Sequence, residues 1–248
     1  MALNLDFLKK FKKDKHTHRN NVIIYGKPSY EKITESFNRL KDNILYFNLD
    51  NKVKVIQICS ATSNEGKTTI LTNLAVSLAR NEKKVVIVDC DLRAPKVHRA
   101  FNLDNEVGIS SYMLNDKKIE EVVCKTSYNV DVISRGNKIE NPSALLSSDK
   151  FKSLIDTLKD TYDYVLIDCP PVLEISDYMQ ISTVSDGLLY TVAYGQTKKA
   201  AVKEAVSYLK QSKINILGVV YTMVDDKRYK GNGYYLAYDN YYNTNSED

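Results

Sequence analysis

One short segment restricts the fold of this chain more than any other feature. An apolar run rich in β-branched residues, Val53–Ile58, leads into CSATSNEGKTT, and an apolar helical run, Ile70–Ala79, follows. A strand, a loop ending in Gly-Lys-Thr and a helix, in that order, are typical of a phosphate-binding loop, in which backbone N–H groups and the helix N-terminus face phosphate oxygens. The segment predicts an α/β protein that binds a nucleotide.

The rest of the chain alternates between strand-like apolar runs and segments with helical periodicity. Residues 29–46, for example, repeat apolar side chains at helical spacings of three and four. Such alternation predicts a mostly parallel, twisted sheet with helices on both faces, the fold of P-loop NTPases, whose ligands lie at the carboxyl ends of the strands. The further predicted strands are Lys84–Val88, Val130–Ile133, Tyr164–Ile167, Gly187–Val192 and Ile216–Tyr221, and the further predicted helices are Ser143–Lys159 and Lys198–Lys210.

The predicted nucleotide contacts are the residues of the loop itself. Ala61 stands where such loops usually have their first Gly, and a small residue there still permits the turn. Lys67 is expected to reach the β- and γ-phosphate oxygens of ATP, and the Thr68 hydroxyl is expected to bind Mg²⁺. The full predicted set is Ala61, Thr62, Ser63, Asn64, Glu65, Gly66, Lys67, Thr68 and Thr69.

Acidic residues follow two of the predicted strands. KVVIVDCDLR places Asp89 and Asp91 at one strand end, and YVLIDCPP places Asp168 at another. A single Asp at a strand end is commonly a turn or cap residue. Three such residues at the edge that carries the phosphate loop instead indicate a site for Mg²⁺, which prefers oxygen ligands and keeps several waters.

Size and composition exclude several classes of protein. The chain has 248 residues and a net charge of +4, which suits one large domain with short extensions and gives no reason to expect nucleic-acid binding. Its four cysteines, at positions 59, 90, 124 and 169, match no metal or disulfide pattern and are predicted to be free thiols. No secretory pattern or bilayer-length apolar run is present, so the chain is predicted to be cytoplasmic, with any membrane contact peripheral.

The composition divides the chain into three parts. Residues 1–28 form a basic N-terminal extension, residues 29–225 the nucleotide-binding domain, and residues 226–248 a polar segment without strand or helix periodicity. For residues 1–21 we favour a solvated tail over a short basic amphipathic helix lying on an anionic membrane.

The C-terminal segment is rich in tyrosine. Its Gly and Asn residues predict flexibility, and it has too few other apolar residues for its tyrosines to form a core. Such a tail either offers phosphorylation sites to an active site or docks on a partner by its aromatic rings. The six tyrosines are Tyr229, Tyr234, Tyr235, Tyr238, Tyr241 and Tyr242.

Taken together, these motifs resemble the bacterial tyrosine kinases of capsule and exopolysaccharide systems. The resemblance rests on the loop Ala61–Thr68, on D-x-D-x-R at Asp89–Arg93, on D-x-P-P at Asp168–Pro171 and on the tyrosine cluster. GISSYMLND and NPSALLSSDKF also resemble family stretches at matching positions, and the resemblance covers about residues 30–248. The chain is most similar to the Firmicute form, in which the kinase is separate from its transmembrane adaptor.

The resemblance implies a role for each matching residue. Lys67 and the loop amides would hold the phosphates of ATP, while Thr68, Asp91 and Asp168 would organise Mg²⁺. Asp89 would orient or deprotonate the incoming tyrosine, although the division of work between Asp89 and Asp91 stays open. The six tail tyrosines would be the phosphoacceptors in autophosphorylation.

The resemblance also implies partners. They are the cytoplasmic tail of a transmembrane adaptor that holds the kinase at the membrane, a phosphotyrosine phosphatase, protein substrates such as sugar-nucleotide enzymes, and further copies of the chain in a ring-like assembly. The kinase would thereby regulate polysaccharide synthesis or export.

Two departures from related proteins bear on these expectations. The family usually carries E-x-x-R-x-x-R in its first helix for self-association, whereas this chain has Glu35, Asn38 and Lys41, which predicts weaker or adaptor-dependent assembly. The alternative function is a ParA- or MinD-like ATPase switch of the deviant P-loop group. That group has an early loop lysine where this chain has Thr62.

Overall fold

A single eight-stranded sheet organises the chain. The computed structural model describes residues 2–4, 23–27, 30–50 and 52–224. The strand order is β1-β8-β7-β2-β6-β3-β5-β4, and among the described residues only the β4–β5 pair is antiparallel. The strands are β1 (Ala2–Asn4), β2 (Val55–Ser60), β3 (Val85–Asp89), β4 (Cys124–Lys125), β5 (Val130–Ile133), β6 (Tyr164–Asp168), β7 (Gly187–Ala193) and β8 (Ile216–Val224).

Helices connect most of the strands. In the part of the chain that the structure describes, none of them combines the length and the apolar character that a bilayer span requires. They are α1 (Glu31–Phe47), α2 (Lys67–Ala79), α3 (Val97–Ala100), α4 (Ile109–Asn115), α5 (Ile119–Val122), α6 (Pro142–Leu146), α7 (Asp149–Thr161), α8 (Asp177–Ser182) and α9 (Lys199–Gln211).

The sheet is packed on both faces because side chains alternate along each strand. On β2, Ile56 and Ile58 join a core shared with α1 and α2, whereas Val55 and Cys59 join a second core shared with α7, α8 and α9. All six β2 residues are buried, as a central parallel strand requires. The predicted fold class, a mostly parallel sheet with helices on both faces, is confirmed.

The predicted helix Ser143–Lys159 is wrong as a single element. The structure has two helices, α6 and α7, separated by Ser147 and Ser148. Ser148 adopts an extended backbone and its hydroxyl accepts a hydrogen bond from the Phe151 amide at 3.2 Å. Because this serine caps the second helix, it interrupts a pattern that looks continuous in the sequence.

The N-terminal part contributes more to the fold than the prediction of a solvated tail allowed. That prediction is wrong for Ala2–Asn4, which form strand β1 parallel to β8. Ile23 and Ile24, which precede the predicted domain start at residue 29, are buried in the first core. The Ile24 amide donates to the Asn73 side chain on α2 at 2.8 Å, which fixes this segment to the helix. Residues 5–22 and 225–248 lie outside the described residues.

Candidate active site

The strand order brings the three predicted motifs to one edge of the sheet. The phosphate loop follows β2, whose neighbour β6 ends at Asp168, and β3 beyond it ends at Asp89. In the parallel register Asp168 pairs with Asp89 on one side and with Ile58 on the other. Asp168 therefore lies between the loop-bearing strand and Asp89, and the three motifs share one edge of the sheet, as the sequence predicted.

The phosphate loop is held in shape by its own side chains. The Glu65 carboxylate accepts hydrogen bonds from the Thr62 amide at 2.7 Å and from the Thr62 hydroxyl at 2.6 Å. Gly66, at φ +86°, precedes the first turn of α2, and its carbonyl accepts from the Ile70 amide at 2.9 Å. These contacts hold the loop in one shape at the N-terminus of α2, where backbone amides bind phosphate in loops of this kind.

Contacts from distant parts of the chain support the same loop. The Ser63 amide donates to the Glu174 carboxylate at 2.7 Å, and the Thr222 hydroxyl on β8 donates to the Glu65 carbonyl at 2.8 Å. Sequence reasoning identified neither Glu174 nor Thr222. Thr222 comes directly after the predicted strand end at Tyr221, and extending that strand by one residue would have placed it at this edge.

Gly66→Ala is expected to weaken nucleotide binding by about tenfold and to cost about 1 kcal/mol of stability. The backbone angle of φ +86° disfavours any residue with a Cβ, and that Cβ would lie 3.2 Å from Thr222 Cγ2. Gly218→Ala on β8 is the matched control, since a Cβ there meets nothing within 4 Å. Titration with ADP and thermal unfolding measure both effects. Equal ADP affinity in the two variants would contradict the expectation.

Thr68 and Asp168 form the centre of the predicted metal site. The Thr68 hydroxyl donates to Asp168 Oδ2 at 2.8 Å, and the carboxylate is buried. Burial raises the pKa of Asp168 to about 6, an effect that the nearby Lys67 ammonium and the Thr68 hydrogen bond oppose. Lys67 itself is buried at the start of α2, so its charge acts at close range and with little screening by water.

Asp89 is fully buried beside Asp168. Its Oδ2 accepts hydrogen bonds from the backbone amides of Lys96 at 3.2 Å and Val97 at 3.1 Å, where α3 begins. Burial, and after it the charge of Asp168, raises the pKa of Asp89 well above its usual range. The Asp89 carboxyl therefore binds protons more strongly than an exposed aspartate does.

Asp91 keeps more contact with solvent than the other two aspartates. It is 8% exposed, against 0% for Asp89 and 1% for Asp168, and its Oδ1 accepts from the Ala94 amide at 3.1 Å. Burial raises the pKa of Asp91, while that hydrogen bond and the Lys67 charge lower it.

Two of the three predicted aspartates offer oxygens that suit a magnesium ion, and the described residues contain no cluster of three His, Cys, Asp or Glu side chains that could hold one. Asp89 Oδ1 and Asp168 Oδ1 are buried and, within the described part of the chain, have no hydrogen-bond partner. Such orphaned acceptors are costly unless a cation or a donor satisfies them. Hard oxygen ligands beside a phosphate loop match the preference of Mg²⁺.

A further contact fixes the loop that follows Asp91. Arg93 Nε lies 3.3 Å from Asp177 Oδ2, and the Ser143 hydroxyl donates to the other oxygen of the same buried carboxylate. This network joins the loop to α6 and α8. Sequence reasoning missed Asp177 because α8 has only six residues, too few to show helical periodicity.

Comparison with known proteins agrees with this geometry. A family model described as an AAA domain matches residues 53–216. The tyrosine-protein kinase YwqD of Bacillus subtilis is 34% identical over 224 residues, which cover 90% of this chain and 94% of that protein.

Solved structures give the same result. The kinase domain of the Escherichia coli tyrosine kinase ETK superposes with a TM-score of 0.82 at 26% identity, covering 94% of this chain and 92% of that one. The chimerical protein CapA2B2 gives a TM-score of 0.79 at 34% identity, covering 83% and 91%. The family predicted from the motifs is confirmed: this chain belongs to the bacterial tyrosine kinases.

Proposed function

We propose that the chain transfers the γ-phosphoryl group of ATP to tyrosines of its own C-terminal segment. The observation that carries the proposal is the convergence of Lys67, Thr68, Asp168 and Asp89 at one edge of the sheet. The described chain ends at this same edge, because β8 runs parallel to β7 and Thr222 contacts the phosphate loop. The tyrosine segment therefore starts beside the site.

The length of the segment allows its later tyrosines to reach Asp89. Four strand spacings separate β8 from β3 in the sheet, or about 19 Å. Tyr229, five residues beyond Val224, spans at most about 18 Å and would need a fully extended chain. Tyr234, ten residues beyond Val224, has a reach of about 35 Å. Tyr229 is therefore expected to be the poorest acceptor within one chain.

The site residues divide the work of phosphoryl transfer. Lys67 and the loop amides bind the β- and γ-phosphate oxygens and stabilise the charge that develops on them. Thr68 and Asp168 would hold Mg²⁺, which supplies further positive charge there when bound. The tyrosine oxygen forms a bond to the γ-phosphorus as the bond to the β-phosphate oxygen breaks, ADP leaves, and the tyrosine proton passes to the Asp89 carboxylate.

The proposed kinase activity involves other proteins. We propose that the cytoplasmic tail of a transmembrane adaptor holds the kinase at the membrane, that proteins such as sugar-nucleotide enzymes are further substrates, and that a phosphatase reverses the modification. The name of the chimerical neighbour, CapA2B2, is consistent with a kinase that works with a second protein.

Self-association is expected to rely little on α1. Asn38 stands where the family has an arginine, and its oxygen accepts from the Tyr25 hydroxyl at 2.5 Å. This position is therefore occupied by a contact within the chain.

Phosphosite mapping tests the proposed activity. After incubation with ATP and Mg²⁺, we expect phosphate on the tyrosines from Tyr234 to Tyr242 and little on Tyr229 at low chain concentration. A variant with all six tail tyrosines replaced by Phe should lose nearly all phosphotyrosine and still bind ATP. ATP hydrolysis without phosphotyrosine in the unaltered chain would overturn the proposal and favour a nucleotide switch.

A further inference from the structure

A strongly basic cleft lies next to the candidate active site. Two adjoining hollows of about 330 and 530 Å³ share Arg93 and Arg135 in their walls. We call the combined hollow the basic cleft and define it by five cationic side chains. Among the described residues that line it, only Glu140 is acidic. The cationic residues are Arg93, Lys96, Arg99, Arg135 and Lys138.

The positive charge of the basic cleft is largely uncompensated. Arg135 donates from Nε to the Gly136 carbonyl at 3.2 Å and from Nη1 to the Leu92 carbonyl at 3.5 Å, both neutral acceptors. The Lys96 ammonium contacts the amide oxygen of Asn64 at 3.4 Å. Within the described ranges, only Arg93 of the five has a carboxylate at ion-pair distance, Asp177. Arg99, Arg135 and Lys138 therefore line the hollow without a carboxylate at ion-pair distance among the described residues, whereas the Lys96 charge also acts on Asp91 and Asp168.

The charges of the basic cleft also act on His98. Burial, followed by the charges of Arg99 and Arg135, lowers the pKa of this histidine. Its Nδ1 is buried and has no hydrogen-bond partner among the described residues. The cationic side chains that line this hollow suit an anion.

The basic cleft and the active site share a loop. The Lys96 backbone amide donates a hydrogen bond to Asp89, while the Lys96 side chain contacts Asn64 in the phosphate loop. Arg93 lies two residues beyond Asp91 and lines both hollows. If a peptide places one of its tyrosines at Asp89, another residue of the same peptide, a few positions along its sequence, would therefore lie in the basic cleft.

We propose that the basic cleft binds a phosphotyrosine of the C-terminal segment, so that a segment phosphorylated once is retained while another of its tyrosines occupies the active site. The inference rests on the proposed function and specifies how successive modifications are linked. Arginine guanidinium groups bind phosphate oxygens in pairs, and each tyrosine phosphate adds nearly two negative charges. Consecutive acceptors between Tyr234 and Tyr242 lie one or three residues apart, a spacing that suits simultaneous occupancy of neighbouring sites.

The unmodified segment is a poor ligand for the same cleft. Its first residues include Lys227, Arg228 and Lys230, and its acidic residues beyond them are Asp239, Glu247 and Asp248. Phosphorylation converts a nearly neutral segment into a strongly acidic one. The basic cleft therefore distinguishes the product of the first transfer from its substrate.

Peptide binding to the full chain carrying Lys67→Met tests the inference without any need for activity. The probes are a peptide of residues 226–248 phosphorylated at Tyr238, the same peptide without phosphate, and inorganic phosphate. The phosphopeptide is expected to bind at least about tenfold more tightly than the other two, as hydrogen bonds to a charged group predict. Adding Arg99→Gln and Arg135→Gln should remove this difference, whereas Lys152→Gln with Lys203→Gln, on exposed positions of α7 and α9, should preserve it.

Equal affinity for the two peptides, or a preference that survives Arg99→Gln with Arg135→Gln, would overturn the inference. Intact-mass analysis of the active chain gives a second measurement. With the basic cleft intact, multiply phosphorylated chains should accumulate while unmodified chains remain, and the Arg99→Gln and Arg135→Gln variant should gain phosphates one at a time. The same phosphoform distribution in both chains would contradict retention, whereas absence of phosphate in both would instead reject the proposed kinase activity.

Discussion

Replacing Lys67 with Met is expected to slow phosphate transfer to the C-terminal tyrosines by at least about 100-fold, the effect of removing one pre-organised charge at a developing anion. The Lys67 ammonium is buried at the start of α2, and its charge acts on both Asp91 and Asp168. Methionine keeps an unbranched apolar side chain of nearly the same length and removes the ammonium, with its charge and its three N–H donors. The initial rate of phosphotyrosine formation with ATP and Mg²⁺ measures the loss.

Lys203→Met, an exposed position on α9, is the matched control and should leave the rate unchanged. Lys67→Met should still fold, although loss of the ammonium that lowers the pKa values of Asp91 and Asp168 should reduce its thermal stability at neutral pH. A Lys67→Met chain that retains half of the rate would show that the phosphate loop does not hold the reacting phosphate.

The central part of this site was predictable because its elements carry strong local patterns. The β2 run is buried along its whole length, and so are the runs that end at Asp89 and Asp168. Apolar runs of this kind indicate parallel strands, whose carboxyl ends meet at one edge. This convergence of strand ends is enough to place Lys67, Thr68, Asp89 and Asp168 at one edge of the sheet.

The supporting contacts were not predictable in the same way. Thr222 meets the phosphate loop across 157 residues of sequence, and Glu174 meets it across 111. No local periodicity reports such pairings, which depend on strand order. The strand at Ala2–Asn4 was missed for a related reason, because an edge pairing depends on a distant strand. The break at Ser148 was missed for a different reason, because a local serine cap interrupts an apolar pattern that continues across it.

Asp89→Asn is expected to have opposite effects on activity and stability. Activity should fall by at least about 100-fold, because the proton acceptor for the tyrosine is removed. Unfolding of the nucleotide-free chain in EDTA at pH 7 should become harder by about 1–3 kcal/mol, because the substitution removes the cost of burying a charged oxygen that has no partner among the described residues. Asparagine keeps an oxygen for the Lys96 and Val97 amides that contact Asp89 and removes a buried carboxylate beside Asp168.

The pH dependence of this stability gain identifies its cause. A carboxyl whose pKa rises on folding stabilises the fold least at high pH, because stability is lost as pH increases from its unfolded pKa towards its folded pKa. Burial raises the pKa of Asp89 well above the ordinary value of 3.8, so the advantage of Asp89→Asn should be near zero below pH 4 and should grow towards neutral pH. Denaturant unfolding at several pH values measures it, with the exposed Asp156→Asn on α7 as control. A gain that is constant with pH would show that packing, and not the buried charge, accounts for the difference.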